Sequence, residues 1–158
     1  QIGYELACGL QIGKQTVNAI YDWDNYSTYY HKDLLGANNN IIISSPVISG
    51  PKVYELINLL KEKQMSGVQI TIVTWAPDSY RFGDAAYWMQ LHEDMRQAGF
   101  YIKTVEESCE RFAVIDQEVV WYGNINLLAK DKVDDSIMRI LSKEIASELM
   151  EITIGDNG

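Results

Sequence analysis

The chain has 158 residues, 47% of them hydrophobic and 22% charged, and a formal net charge of −9 at neutral pH. That is enough length and apolar content for one globular domain with a full core, and it excludes a disordered, collagen-like or disulfide-scaffold polypeptide. The acidic balance works against nonspecific nucleic-acid binding, which draws its affinity from Lys and Arg displacing counterions. No apolar run reaches the roughly 18 to 20 residues that cross a bilayer.

Residues 1–24 are expected to lie outside the core, as an N-terminal extension or a linker to a missing upstream region. The chain opens on Gln1 instead of methionine, as an excised piece of a longer protein would, although processing or a tag remnant gives the same start. Tyr26, Tyr29, Tyr30, Asp33, Leu34 and Leu35 recur at helical spacing, with Gly36 and Asn38 to Asn40 as stop signals. Asn40 to Pro46 is a β-branched run closed by proline, the pattern of a strand buried on both faces. Val53, Leu56, Ile57 and Leu60 form a helical stripe ended by Ser66-Gly67, and Val68 to Thr74 reads as a second strand. A helix between two such strands predicts a crossover between parallel neighbours. Trp75 to Gly83 is an expected loop at the carboxyl edge of the sheet, where sites of open α/β folds commonly lie. A helix over 85–98, capped by Gly99, leads to a strand over 100–105.

In the last third, Arg111 to Ile115 and Glu118 to Tyr122 flank Asp116-Gln117 as a hairpin. A strand over 135–141 and a helix from Ser142, a plausible N-cap by residue type, close the chain. The predicted class is α/β: a single domain, 1–158, with its core at about 26–150 and a mixed central sheet covered by helices on both faces.

The chemistry concentrates between Cys109 and Asn126. Counting from Cys109, the arginine falls two positions on, then come Asp116, Gly123, Asn124 and Asn126. This spacing resembles the signature H-x-K-x4-D-x6-G-S-x-N of the phospholipase D-like superfamily, with Cys109 and Arg111 set under the histidine and lysine. Asp116, Gly123 and Asn126 match, whereas Cys109, Arg111 and Asn124 depart from it. The resemblance implies a phospholipase D-like α/β/α sandwich from about Tyr26 onward. It also implies metal-independent phosphodiester chemistry, in which one histidine attacks phosphorus and a second motif copy supplies the proton. One copy per chain would then require a twofold homodimer. On an extended strand, positions 109 and 111 share a face and could reach one phosphate. The candidate site is Cys109, Arg111, Asp116 and Asn126, with Arg111, Asn124, Asn126, Ser44 and Ser45 as phosphate-binding groups. Asp116 at the turn is expected to hold geometry instead of moving protons.

Arg111 keeps a positive charge and can grip phosphate bidentately. Cys109 attacks phosphorus only with a depressed pKa, and Glu106, Glu107 and Glu110 work against that. A thiol also cannot replace the imidazole acid, so the domain is expected to be noncatalytic. Cys8 and Cys109 lie far apart without metal-ligand spacing, and read as free thiols of a cytoplasmic protein with no metal or cofactor.

Wording such as Val120 to Leu128 and Ser136 to Ile140 looks like phospholipase D-like domains at the C-terminal end of bacterial helicase-like proteins. That likeness implies an ATP-dependent helicase as parent and a domain that assists nucleic-acid binding or self-association, with no membrane partner. Two alternatives stand beside it: an active metal-independent nuclease working as a homodimer, and a protein-interaction scaffold.

Other features carry blander readings. His31-Lys32-Asp33 spells the family's nickname, but consecutive helical residues point about 100° apart and cannot form the motif. His92 is expected on a helix face, with no nucleophile or metal ligand at matching spacing. Trp75, Tyr80, Phe82, Tyr87 and Trp88 could stack on bases, yet core packing and loop anchoring is the expected role. Arg111, Lys130, Lys132 and Arg139 could form a basic patch, but acidic residues surround them.

Overall fold

The computed structural model describes residues 11–12, 15–77 and 85–153. Strands β1 (Gln11–Ile12) and β2 (Gln15–Asp22) precede helix α1 (Tyr26–Leu35) and strand β3 (Asn40–Ser44). Helix α2 (Gly50–Met65), strand β4 (Gln69–Trp75), helix α3 (Ala85–Gln97) and strand β5 (Tyr101–Val105) follow. The chain then forms β6 (Phe112–Ile115), β7 (Val119–Gly123), β8 (Ser136–Leu141) and α4 (Lys143–Thr153). All eight strands join one sheet in the order β1-β2-β8-β7-β6-β3-β4-β5.

The sheet is mixed, as the sequence pattern predicts. Strands β3, β4 and β5 are parallel, each pair bridged by a helix. The remaining neighbours are antiparallel. Alternation along each strand divides the core in two. Ile41, Ile43, Ile70, Ile72, Ala113, Ile115 and Trp121 face α1, α2 and α3. Ile42, Val73, Phe112, Val114, Val120 and Ile140 face the other way, where α4 covers them with Ala146 and Leu149. Helices therefore lie on both faces, three against one.

The core starts earlier than expected. Strand β2 pairs with β8 from Thr16↔Leu141 to Asp22↔Ser136, so residues before Tyr26 belong to the sheet. The physical reason is the edge: without β2, β8 would present a row of unpaired backbone groups. Val17 and Ala19 to Tyr21 form a short, largely apolar run between Gln15-Thr16 and Asp22, compatible with a strand but without a clean polar alternation to announce it.

The β6–β7 turn explains how the motif is held. Asp116 (φ 54°) and Gln117 (φ 62°) both take left-handed backbone, and the Glu118 N–H closes on the Ile115 carbonyl at 3.2 Å. This is the two-residue geometry that matches strand twist in hairpins. At the other end of the chain, Ser142 caps α4 by accepting the Ile145 N–H at 3.1 Å. Among the described residues, no helix is long and apolar enough to cross a membrane.

Candidate functional site

Strand β6 begins only at Phe112, so Cys109 and Arg111 lie on irregular chain before it. The strand alternation from which a shared face was expected therefore does not extend to them. Phe112 belongs to the cluster under α4, and Arg111 Nε donates to Asn126 Oδ1 at 3.1 Å. Asn126 sits in the loop after β7 between Ile125 and Leu127, both part of the three-helix side of the core. Cys109 instead packs against the α4 side.

The thiol lines a small cavity of about 150 Å³ together with Ser44, Val73 and Val105 and with Ile152 and Thr153 at the end of α4. Its Sγ lies 3.4 Å from Ser44 Oγ, which donates to the Glu110 carbonyl at 2.6 Å. Burial pushes the Cys109 pKa up; the Ser44 bond and the Arg111 charge pull it back in part, and Glu110 adds to the rise. The group is therefore a neutral thiol at physiological pH. Glu110 is itself held by the Tyr122 hydroxyl at 2.8 Å.

The other sequence-predicted residues fall into two sets. Ser44 and Ser45 are fully buried, and their hydroxyls serve the fold. Ser45 Oγ donates to the Val47 carbonyl at 2.7 Å and accepts the Leu128 N–H at 3.2 Å, so neither serine presents a hydroxyl to a phosphate. Asn124 Oδ1 accepts the Ser136 N–H at 2.9 Å, tying the loop to β8. Asp116 lies at the far end of β6 from Arg111. Its carboxylate accepts the backbone N–H groups of Asn38, Asn39 and Asn40 at 2.7 to 3.2 Å and clamps the hairpin to the start of β3. What remains for an anion is Arg111 with Asn126. Among the described residues, the Arg111 terminal nitrogens have no hydrogen-bonding partner.

The basic patch thins in the same way. Arg139 forms a bidentate pair with Asp33, at 2.6 Å from Nε and 3.0 Å from its terminal nitrogen, and Asp33 also takes the Trp121 indole N–H at 2.8 Å. His31 instead approaches Glu55 at 3.9 Å, so His31 and Asp33 turn to different partners. The Trp75 indole N–H holds the Glu107 carbonyl at 2.9 Å and so anchors the segment before the motif. Tyr80 and Phe82 lie outside the described residues.

Sequence reasoning missed how deeply His92 is placed. Trp88, Leu91, His92 and Met95 form one helical stripe toward the core, and that spacing was the available signal.

A hairpin-centred mixed sheet, with a basic side chain and an asparagine brought together after it, defines a phospholipase D-like domain. The chain belongs to the family described as cardiolipin synthase, phospholipase D-like domain, which matches residues 30–154. By sequence, no curated protein matches. Among solved structures it is similar to Nuc, a phospholipase D family member from Salmonella typhimurium, with a TM-score of 0.67, 15% identity, and 88% of this chain and 91% of that chain covered. NucT from Helicobacter pylori gives a TM-score of 0.65 at 9% identity, covering 89% and 92%. The archaeal chromatin protein TrmBL2 gives 0.59 at 12% identity, covering 85% of this chain and 49% of that one. At these identities the likeness is one of fold.

Proposed function

We propose that this is a noncatalytic phospholipase D-like domain of a larger, helicase-like nucleic-acid protein, to which it lends a single phosphate contact through Arg111 and Asn126. The observation that carries the reading is the state of the motif: the thiol at the nucleophile position is half-buried and neutral under α4, while the guanidinium is bound to Asn126. The two histidines of the chain lie on helices, His31 on α1 and His92 on α3, and neither stands at a motif position. Loss of nucleophile and general acid removes the groups that lower the barrier, but it leaves the charge that binds the ground state.

TrmBL2, a chromatin protein described as having a novel mode of DNA binding, lends support to a nucleic-acid ligand, and the net charge of −9 confines such binding to a local contact. Two measurements test the reading. Bis(p-nitrophenyl) phosphate is offered to the chain in EDTA, and no turnover is expected; turnover abolished by Cys109→Ala would sink the noncatalytic assignment. Single-stranded DNA is then titrated at low salt, where Arg111→Gln should weaken binding about tenfold. Absence of binding by the unaltered chain would favour a protein-interaction scaffold.

A further inference from the structure

The sheet ends differently on its two sides. One edge is β1, two residues long; the other is β5, five residues long and paired only with β4. The direction of the β5 backbone follows from one bond. The Val105 carbonyl accepts the Ala76 N–H at 2.9 Å, so Val105 turns its backbone groups toward β4, as Lys103 and Tyr101 do by alternation along the strand. Ile102 and Thr104 therefore turn theirs outward. Among the described residues, nothing bonds to either N–H or to either carbonyl. An open row of this kind is a template for another strand.

The side chains say which strand. Ile102 packs on the three-helix side of the core and Val105 on the α4 side, so Tyr101, Lys103 and Val105 share the α4 face. Tyr101 is 61% exposed, and Lys103 has no ion pair among the described residues. Antiparallel pairing is the more stable ladder per residue, and one antiparallel register uses both outward residues. It sets the middle residue of the incoming strand directly opposite Lys103, in a pair without mutual backbone bonds whose Cα atoms lie about 4.5 Å apart. A second copy of β5 in that register would bring Lys103 against its own counterpart, and like charges directly opposite destabilise a pair. A carboxylate at that place is favoured instead. The net charge of −9 resists a strongly acidic segment, so one carboxylate among neutral residues fits best.

We propose that the β5 edge docks an extended segment of another protein as an added antiparallel strand, with a single Glu or Asp opposite Lys103 and β-branched residues opposite Tyr101 and Val105. Main-chain bonds to Ile102 and Thr104 supply the affinity, and Lys103 supplies the choice. Docking there does not depend on the phosphate contact, which lies across β3 and β4 at Arg111 and Asn126.

The probe is the peptide Ac-Thr-Val-Thr-Glu-Thr-Val-Thr-NH2, added to the full chain and followed by NMR hydrogen exchange. The amides of Ile102 and Thr104 should exchange fast in the free chain and slow about tenfold or more at saturating peptide, because only then are they bonded. The same peptide with Lys in place of its Glu should bind about fivefold more weakly, and Lys103→Glu should reverse that preference. N-methylation of the two Thr residues beside the Glu keeps every side chain but removes the bonding N–H groups, and it should abolish binding. Five results would overturn the proposal: Ile102 and Thr104 already protected in the free chain, protection that rises with chain concentration and no peptide, no protection at millimolar peptide, equal binding of the Glu and Lys peptides, or undiminished binding of the N-methylated one.

Discussion

The two ends of strand β6 do opposite things with the same motif. At the turn, Asp116 is saturated by three backbone N–H groups of 38–40, and the hairpin cannot leave β3 without breaking them. At the start, Cys109 packs against the α4 side of the sheet, and Arg111 makes a single side-chain hydrogen bond, to Asn126. The positions that agree with the phospholipase D-like pattern include those with architectural work. Gly123 is another: a Cβ built there would fall against the Ser136 carbonyl oxygen and within 2.6 Å of the Ile137 Cα. The positions that depart from the pattern are those where reactive groups would stand. A motif in this fold is thus two devices laid over one another, a clamp and a reaction centre, and the chain keeps the clamp.

The contrast breaks most directly at the clamp. Asp116→Ala should cost about 2 to 4 kcal/mol in denaturant unfolding, from lost charge-assisted bonds and from alanine at a left-handed φ. Asp116→Asn retains one acceptor and tolerates that backbone, so it should fall between the two. If Asp116→Ala unfolds no more easily than the unaltered chain, the carboxylate is not a clamp. Gly123→Ala comes next, at about 1 to 3 kcal/mol, because the obstacle is the β8 backbone and not a movable side chain. An unchanged unfolding midpoint would show that β8 shifts freely and that Gly123 has another purpose.

Much of this was legible in the sequence, for identifiable reasons. Ile41 to Ile43, the Val53–Leu60 stripe and the Asp116-Gln117 turn carry local periods and turn chemistry that survive into the fold. The spacing from 109 to 126 located the site region. What the sequence did not show was where the strand begins. Residues two apart share a face only on a continuous strand, and the chain from 106 to 111 is not one. Ser44 and Ser45 were placed at the correct end of β3, but only the three-dimensional contacts show their hydroxyls bound to backbone. Arg139 and Asp33, 106 positions apart, meet through the sheet order, which no local pattern encodes.

The smallest effect sharpens the other side of the comparison. Cys109→Ala, made in a Cys8→Ser background, should cost about 1 kcal/mol or less at neutral pH, since it removes one half-buried sulfur and one weak contact with Ser44. The pH dependence has a definite sign. Folding raises the thiol pKa, chiefly through burial, so its protonated form is favoured in the native state. The stability tied to that proton is fully present below the ordinary cysteine value of about 8.5 and is lost as pH climbs through the higher native value. The tyrosines with raised pKa values, such as Tyr122, are common to both proteins and cancel in the difference. The advantage of Cys109 over alanine should therefore shrink on the alkaline side alone, and iodoacetamide should modify Cys109 more slowly than a free thiol at neutral pH. Rapid alkylation there would reveal a thiolate, and with it a motif that is still a reaction centre at the start of β6.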